Sequence, residues 1–560
     1  MSLCPALSGG KCAVLLIKPD ETLFFVGKIR LVLLHGSVSI MGTIIKPGFF
    51  VHNVFAPRTH SLPPITGREL EERTSNFSDM FPARILHYLD PVHSVLALGS
   101  DTSGIDLLSR LSSSYDVLFK VDHSNTESIL AGFYPLQWIP SNVNILRFPS
   151  SWTNALRAAA DWDFSSTAQL DLVARPFVGL VKGGKGVGKS TFARMLLNTL
   201  LTRNERVAFL DCDIGQSEFT PGGLVGIHVL DHPIFGPPFT HQSWPYKAHF
   251  IGSYSPGQHP SHYISCIADL LEAYRLDIQF YEKDEEMHSV PLVVNTQGWI
   301  RGLGGELSSQ IESMASPSHC FDFEGGEDVA MTRTPGWSSR SSSSRSHTLW
   351  LAPQRRPNSR YTSADLRNLS VMSYLHFSPL RKPLCAMPPW EINTVVAYDS
   401  IRLLGNGGED VETGVISDAL RGGLVGLIVD SASEALPRKG DLSIPYERSV
   451  SFPSPSTSRC LGLGVVRWIS GDARTLHMVT PLPGKDLASC RCIVKGDMEL
   501  PLWAFLPYAV DDLDSKSDLE SQFVNAPFLV WGTTSSTGAG EGIWKRRSVL
   551  RRNLRVTNKG

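Results

Sequence analysis

The sequence predicts a central α/β domain with a parallel sheet, flanked by N-terminal and C-terminal β-rich domains. Apolar strand patterns and helical patterns alternate from residue 176 to residue 314, whereas short β-rich runs fill residues 13–57 and recur after residue 390. Alternation of this kind favours a parallel sheet covered by helices on both faces. A chain of 560 residues is also too long for a single hydrophobic core. The predicted domains are residues 1–150, 151–385 and 386–560.

The N-terminal domain is predicted from its turn residues. Between residues 13 and 57, short apolar runs are separated by glycine and by other turn formers, a pattern that favours a small antiparallel sandwich or barrel. We assign no chemistry to this domain. A helix opened by a serine cap is predicted at Ser150–Ala160, and it leads into the central domain.

The central domain begins with a glycine-rich turn, GGKGVGKST, between a predicted strand at Pro176–Val181 and a predicted helix at Thr191–Leu201. The turn fits G-x-x-x-x-G-K-[ST], the phosphate-binding P-loop, in which backbone N–H groups and the helix N-terminus surround a polyphosphate. Lys189 would reach the β- and γ-phosphates of ATP, and the Ser190 hydroxyl would bind Mg²⁺. The residues predicted to bind the nucleotide are Gly183, Gly184, Lys185, Gly186, Val187, Gly188, Lys189, Ser190 and Thr191.

Two carboxylates follow the next predicted strand, Val207–Leu210. Asp211 and Asp213 are separated by one residue, so on a regular strand they project from the same face and reach one pocket. Ligands of open α/β sheets bind at the carboxyl ends of strands, where an acidic residue holds Mg²⁺. One carboxylate would hold the metal and the other would take a proton from an attacking hydroxyl. The alternative for either residue is that it only caps a turn.

The α/β pattern continues with predicted strands at Ala248–Tyr254 and Val290–Val294 and predicted helices at Ser261–Tyr274 and Glu306–Met314. Residues 325–348 are rich in serine and arginine and cannot bury a core, so we predict a disordered insertion there.

Composition narrows the function classes only slightly. Hydrophobic residues make up 42% and charged residues 19% of the chain, and the net charge of −2 argues neither for nor against nucleic acid. The nine cysteines lack the paired spacing of a zinc site, which favours reduced thiols in a cytosolic or nuclear protein. No apolar run approaches the length of a membrane span, so we expect no membrane association.

A basic segment lies at Trp544–Gly560, beyond the β-rich runs that define the C-terminal domain. It contains many Lys and Arg residues and no acidic residue. Such a segment is either a solvated tail or a contact for RNA phosphates or for an acidic partner surface.

Taken in order, the motifs resemble those of the polynucleotide 5′-hydroxyl kinases, and within them the branch acting in pre-ribosomal RNA processing. After GGKGVGKST come LDCDIGQSEFTPGG, FIGSYSPGQHPSHY, VNTQGW and RYTSADLRNLSVMSYLH, and near the C-terminus CLGLGVVRWI, MVTPLPG and IWKRRSVLRRNL. The likeness covers most of the chain from Leu15 to Val556. A P-loop alone is unspecific, whereas the whole series is highly specific. A second T-x-G-W match, Thr334–Trp337, follows no buried strand and is set aside.

This resemblance implies transfer of the ATP γ-phosphate to the 5′-hydroxyl of an RNA end by a central P-loop kinase domain. Lys189 would act on the phosphates, while Asp211 and Asp213 would supply Mg²⁺ coordination and the general base. Of the two, Asp213 would be nearest the attacking hydroxyl. Gln216 would orient a water or a metal ligand.

The resemblance also implies residues that hold the RNA and the transferring phosphoryl group. Thr296 and Trp299 would clasp the RNA end, with the indole stacking on a base, a contact that contributes about 1–3 kcal/mol. Arg360 and Arg367 would belong to a lid that stabilises charge on the phosphoryl group.

A partner and a location are implied in the same way. Proteins of this branch pair with a HEPN-type endoribonuclease, which cuts an internal transcribed spacer and leaves the 5′-hydroxyl that the kinase phosphorylates. Location in the nucleus, specifically the nucleolus, is expected.

Two other functions are considered. An ATP-binding scaffold subunit without kinase activity is the main alternative, although the intact Lys189 and Ser190 and the paired aspartates argue against it. A regulatory GTPase would need a guanine-reading N-K-x-D after a strand, and we find none in the sequence.

Overall fold

The computed structural model describes residues 2–4, 12–69, 93–110, 115–121, 130–162, 176–323, 347–354, 360–376, 384, 387–405, 411–432, 444–446 and 451–505. The basic segment Trp544–Gly560 lies outside these ranges, and so does the predicted insertion except for its last two residues. Those two belong to a strand, His347–Leu351, which pairs in parallel with His319–Phe323. The prediction therefore extended the insertion two residues into the sheet.

Two antiparallel sheets form the N-terminal region, as the spacing of its turns predicted. The 11-residue strand Phe25–His35 alternates buried and more exposed positions over its second half, so one face packs on a core. The first sheet contains Ser2–Cys4, Cys12–Ile17, Phe25–His35, His52–Ala56, Ser94–Ser100 and Phe133–Pro135. The second contains Thr22–Leu23, Val38–Ile40, Thr43–Ile45 and Ile65–Gly67, and a 3-10 helix lies at Ile105–Arg110.

The central sheet has seven strands, and one of its inner strands, Val178–Lys182, runs directly into the glycine-rich turn. In spatial order the strands are Lys247–Phe250, Leu224–Leu230, Val207–Asp211, Leu292–Asn295, Val178–Lys182, His319–Phe323 and His347–Leu351. All neighbouring pairs are parallel except those made by Leu224–Leu230. Its connection from Asp211 contains only turns, and a parallel return needs a longer crossover. The predicted parallel sheet thus has one antiparallel strand near its edge.

Helices cover both faces of this sheet. They are Ser150–Ala160, Lys189–Leu200, Pro260–Ala273, Leu303–Ala315 and Ser363–Leu375. The same region contains a 3-10 turn at Pro238–Thr240, a π-helical turn at Tyr274–Ile278 and a hairpin of Phe280–Lys283 and Glu286–Ser289. We call Lys189–Leu200 the P-loop helix and Ser363–Leu375 the lid helix.

The prediction of a serine cap for Ser150–Ala160 is wrong. Pro149 is the N-cap residue, and its carbonyl accepts the first backbone N–H bonds of the helix. The lid helix does carry a capping box, because Thr362 and Asp365 exchange side-chain and backbone hydrogen bonds. The cap of the lid helix was not predicted from the sequence, and the cap predicted for Ser150–Ala160 lies one residue earlier, at Pro149.

The C-terminal region is built on one six-stranded sheet that packs against the edge of the central sheet. An alanine Cβ at Gly426 would lie 2.6 Å from the Phe250 ring, so the two sheets are in direct contact there. Its strands, in spatial order, are Trp390–Asn393, Thr475–Val479, Ser458–Ile469, Leu424–Asp430, Cys492–Lys495 and Ser400–Leu403. Short helices lie at Thr394–Ala397, Ile416–Leu420 and Gly484–Leu487, with 3-10 turns at Thr413–Val415 and Leu502–Phe505.

Across the described ranges, every helix is too short or too polar to span a lipid bilayer.

The P-loop helix is fixed to the N-terminal region through Asn198, whose side chain is fully buried. Its Nδ2 donates to the carbonyls of Met41 and Ile234 at 3.0 and 2.9 Å, and its Oδ1 accepts from the Ile234 N–H at 2.8 Å. The Thr199 hydroxyl adds a bond to the Gly42 carbonyl at 3.0 Å. The helix that carries the glycine-rich turn is therefore held by a chain segment about 150 residues earlier.

We predict that Asn198→Ala lowers the free energy of unfolding by about 1–3 kcal/mol, because it leaves buried backbone groups of Met41 and Ile234 without partners. Urea unfolding followed by circular dichroism measures this loss. Asn154→Ala is the matched control, since Asn154 is an exposed residue on a neighbouring helix, and it should change stability by no more than about 0.5 kcal/mol. Equal losses in the two variants would contradict the prediction.

Candidate active site

The glycine-rich turn has the backbone geometry that its motif predicts. Gly183 has φ +142°, and an alanine Cβ there would lie 2.7 Å from the Phe323 Cβ. Gly188 has φ +107° and would place a Cβ 3.0 Å from the Trp152 ring. Both positions therefore require glycine. The P-loop helix begins directly after Gly188, so its free N–H groups point into the turn.

Lys189 lies over this turn and is almost fully buried. Its Nζ donates to the Gly184 carbonyl at 2.9 Å. Burial lowers the pKa of Lys189, and the nearby charge of Asp213 partly opposes that effect. Ser190 and Thr191 follow at the start of the helix and are half-buried. The Lys189 ammonium group therefore lies within the electrostatic influence of the Asp213 carboxylate.

Asp211 ends the strand Val207–Asp211 and is buried, and both of its carboxylate oxygens accept hydrogen bonds. Oδ1 accepts from the Asp213 N–H at 3.2 Å and from Asn295 Nδ2 at 3.1 Å, and Oδ2 accepts from the Glu218 N–H at 2.6 Å. Burial raises the pKa of Asp211 to about 8, the Glu218 N–H bond opposes this shift, and the charge of Asp213 adds to it. Burial thus favours the protonated form of this carboxyl group, and a cation bound there would displace the proton.

Asp213 lies on the turn after the strand, and one of its carboxylate oxygens caps the backbone N–H groups of that turn. Its Oδ1 accepts from the N–H groups of Gly215 and Gln216 at 3.0 and 3.2 Å. Its Oδ2 makes no hydrogen bond within the described residues, so one oxygen shapes the turn while the other stays available for chemistry. Gln216 is half-buried in the same turn, and its backbone contributes to the cap.

The oxygen atoms gathered here suit Mg²⁺, which prefers hard oxygen ligands. They are the Ser190 hydroxyl, the carboxylates of Asp211 and Asp213, and the side-chain oxygen of Asn295. Asn295 Oδ1 is buried and has no hydrogen-bond partner in the described part of the chain. Sequence reasoning did not identify Asn295, although it precedes Thr296 and ends a strand whose register places it opposite Asp211. The donor set therefore fits magnesium.

The loop Thr296–Trp299 lies against the glycine-rich turn. An alanine Cβ at Gly298 would come within 2.9 Å of the Lys185 Cα, so the two loops are in direct contact. The Thr296 hydroxyl donates to the Val181 carbonyl at 2.8 Å and the residue is buried, which places Thr296 behind the turn and against the sheet. Thr296 therefore braces the loop, and the side chain offered at the surface is Trp299, which is 40% exposed.

The Trp299 indole is held between two glycines. A Cβ at Gly304 would lie 2.4 Å from the indole Cγ, and a Cβ at Gly257 would lie 3.5 Å from the ring edge. Contact on these sides and exposure on the rest give a fixed aromatic surface beside the P-loop. Aromatic surfaces of this kind stack on nucleic-acid bases.

Of the two predicted lid arginines, Arg367 is the one that the described contacts bring beside the site. Its guanidinium lies 4.6 Å from the centroid of the Tyr254 ring. An alanine Cβ at Gly222 would lie 3.0 Å from the Tyr254 ring, and one at Gly215 would lie 3.2 Å from the Tyr254 carbonyl oxygen. Tyr254 therefore packs on the turn that follows Asp213. Arg360 is exposed and lies just before the lid helix, beside Tyr361. Burial raises the pKa of Tyr361, and the charge of Arg360 partly opposes this shift. Its role in the lid stays a prediction.

Fold and site together define a P-loop protein that binds a nucleotide beside paired carboxylates and a surface aromatic residue. Comparison with known proteins gives the family. Residues 183–377 match the family model described as the mRNA cleavage and polyadenylation factor CLP1 P-loop, and residues 5–118 match the N-terminal domain of polynucleotide 5′-hydroxyl-kinase NOL9.

Individual relatives agree with these models. The chain is 31% identical to the polynucleotide 5′-hydroxyl-kinase GRC3 of Cryptococcus neoformans, over 97% of this chain and 77% of that protein. It is 24% identical to polynucleotide 5′-hydroxyl-kinase nol9 of Dictyostelium discoideum, over 97% of this chain and 86% of that protein. The chain therefore belongs to the GRC3/NOL9 family of polynucleotide 5′-hydroxyl kinases.

A solved structure of a wild-type Clp1p–Pcf11p complex shares the fold. Its TM-score is 0.52 at 14% sequence identity, over 88% of this chain and 99% of that one. The central P-loop domain with flanking β-rich regions, expected from the sequence, is thus confirmed.

We predict that Gly304→Ala weakens the binding of a 5′-hydroxyl RNA oligonucleotide by about 1–3 kcal/mol, the contribution of a base stacked on an aromatic ring. The added Cβ would lie 2.4 Å from both the Trp299 Cγ and the Trp299 carbonyl oxygen, so the indole and the backbone that carries it must shift. Fluorescence anisotropy of a labelled oligonucleotide measures the loss, and ATP binding should be unchanged. Ser309→Ala, at an exposed position of the same helix, is the control. Wild-type affinity in Gly304→Ala would show that the indole does not carry the contact.

Proposed function

We propose that this protein uses ATP to phosphorylate the 5′-hydroxyl ends of RNA. The observation that carries the proposal is the meeting of three features at one end of the central sheet: the P-loop, the Asp211–Asp213 turn and the exposed indole of Trp299. Lys189 lies close enough to Asp213 to feel its charge, and Gly298 packs on Lys185. Membership in a family of polynucleotide 5′-hydroxyl kinases supports the reaction, and the stacking surface supports a nucleic-acid acceptor.

The phosphate-binding half of the site follows from the geometry of the turn. Backbone N–H groups at the start of the P-loop helix would bind the phosphates, and Lys189 would exchange its bond to the Gly184 carbonyl for the β- and γ-phosphates. Ser190, the two aspartates and Asn295 would hold Mg²⁺. When bound, Mg²⁺ neutralises charge on the β- and γ-phosphates.

The nucleoside of ATP would extend toward the N-terminal region. A small, open cleft adjoins the start of the P-loop helix at Thr191. Its other walls include Phe55, His60 and Leu146 of the N-terminal region.

The acceptor half follows from Asp213 and Trp299. The 5′-hydroxyl oxygen attacks the γ-phosphorus, the bond to the β,γ-bridging oxygen breaks, and the hydroxyl proton passes to the free oxygen of Asp213. Trp299 stacks on the terminal base and so fixes the acceptor, and Arg367 stabilises charge on the transferring group. Positioning and electrostatic stabilisation account for most of the rate in phosphoryl transfer, and each residue named here supplies one or the other.

We infer a role in pre-ribosomal RNA processing from the likeness of the chain to the GRC3 and NOL9 kinases. Its N-terminal region matches the NOL9 model, and its GRC3 and NOL9 relatives align over nearly the whole chain. We infer an internal transcribed spacer as the source of the RNA end, a HEPN-type endoribonuclease as the partner, and the nucleolus as the location.

We predict transfer of labelled γ-phosphate to 5′-hydroxyl oligonucleotides in the presence of Mg²⁺, with RNA and DNA acceptors tested side by side. Asp213→Asn should bind ATP nearly as well as wild type yet lose about 10²–10⁴-fold in transfer rate, the range for a general base. Lys189→Ala is the inactive control. Labelling no higher than in this control would overturn the proposal and leave an ATP-binding scaffold subunit as the function.

We predict that deleting Trp544–Gly560 weakens co-purification with the endoribonuclease, because the segment is strongly basic and suits an acidic docking surface. ATP binding should be retained, since the P-loop is untouched. A segment of equal length with its Lys and Arg residues changed to Ser separates charge from length. Undiminished co-purification of both variants would refute this role of the segment.

A further inference from the structure

A fully buried ion pair lies directly behind the candidate active site and is not used by the proposed reaction. Glu218 is completely buried and Arg194 is 5% exposed. The guanidinium bonds both carboxylate oxygens, Nε to Oε1 at 2.5 Å and Nη2 to Oε2 at 3.1 Å. His241 adds a third contact, Nε2 to Glu218 Oε1 at 3.0 Å. A two-point bond of this kind fixes orientation as well as distance.

The pair joins the two halves of the proposed magnesium–ATP site. Arg194 lies on the P-loop helix one turn after Ser190, on the same side of the helix. Glu218 belongs to the segment that follows Asp213, and its backbone N–H donates to Asp211 Oδ2 at 2.6 Å. The side chain of Glu218 is therefore fastened to the helix that carries the phosphate-binding turn, while its backbone is fastened to the metal-binding carboxylate.

Stability alone is a poor explanation for this arrangement. Removing two charges from water costs about as much as their attraction returns, and apolar residues of similar volume often stabilise a protein equally well. Burial alone would raise the pKa of Glu218, yet Arg194 and His241 hold it at about 2, so the carboxylate stays ionised. A charged pair is, however, more exacting in geometry than an apolar contact.

The same segment carries the lid helix. Ser370 of the lid helix donates to the Thr220 carbonyl at 3.4 Å and accepts from Gln242 Nε2 at 3.0 Å. Ser373 donates to the Phe239 carbonyl at 2.6 Å. Thr220 lies two residues after Glu218, and Gln242 follows His241, so the lid helix rests on the two chain segments that meet at Glu218.

We propose that Glu218 is a positioning residue that, through its bond to Arg194, holds the Asp211 carboxylate at a fixed distance from the phosphate-binding turn. The proposal rests on the proposed function, because it assumes that magnesium and ATP bind together between these two elements. Without the bond to Arg194, the segment after Asp213 is held by its turn contacts and by the packing of Phe219, and the carboxylate can shift relative to Ser190.

The test measures the magnesium increment, defined as the ratio of the affinities of a fluorescent ATP analogue with Mg²⁺ and with EDTA. In Glu218→Gln the increment should fall about 10–100-fold, the loss typical of partners that orient metal ligands. Because the readout is a ratio, a change in metal-free nucleotide affinity cancels. Glu312→Gln is the matched control and should keep the wild-type increment. Like Glu218, Glu312 forms an ion pair with a basic residue of the central domain, in this case Lys182.

A second variant separates positioning from stability. The double substitution Arg194→Leu and Glu218→Leu removes both charges, so neither is left buried without its partner, and thermal unfolding reports its stability. A stable double variant with a reduced increment would support the proposal, whereas a stable double variant with the wild-type increment would overturn it. Absence of any increment in the wild-type protein would instead remove the proposed function on which it rests.

Discussion

The parallel pairing of three strands is the constraint on which the rest of the structure depends. Val178–Lys182 pairs with Leu292–Asn295, which pairs with Val207–Asp211, and all three run in the same direction. Because parallel strands end at the same edge, the phosphate-binding turn, the aspartate turn and the loop to Trp299 must start side by side. The register sets Asn295 opposite both Val181 and Asp211.

Burial of the Asp211 carboxyl group lowers the stability of the fold at neutral pH. The unfolded carboxyl group ionises near pH 4, whereas the pKa of the folded one is raised to about 8. The folded state therefore binds more protons than the unfolded state between these values, so Asp211 makes folding less favourable as pH rises through this range. A carboxyl group buried here therefore reduces stability as pH rises, as groups at functional sites often do.

The sequence predicted the parts of the site that depend on local spacing. A strand, a glycine-rich turn and a helix in succession leave few conformations for residues 183–190, and Asp211 had to lie where a strand ends. The order of motifs also led to the right family. The antiparallel strand Leu224–Leu230 was not predicted, because its direction depends on a short connection rather than on its own apolar pattern. Nor does a pattern of residues show that Thr296 faces the sheet.

The contacts that escaped prediction are those between chain segments far apart in sequence, and they show that the site belongs to the whole molecule. Asn198 joins the P-loop helix to the N-terminal region, while on the other side the Asp497 N–H donates to the Gly252 carbonyl at 2.8 Å. Gly252 precedes Tyr254 by two residues, and the Tyr254 ring contacts the Arg367 guanidinium. The P-loop helix is thus bonded directly to the N-terminal region, and the loop that contains Tyr254 is bonded directly to the C-terminal region. The geometry of the candidate site therefore depends on both flanking regions as well as on the central sheet.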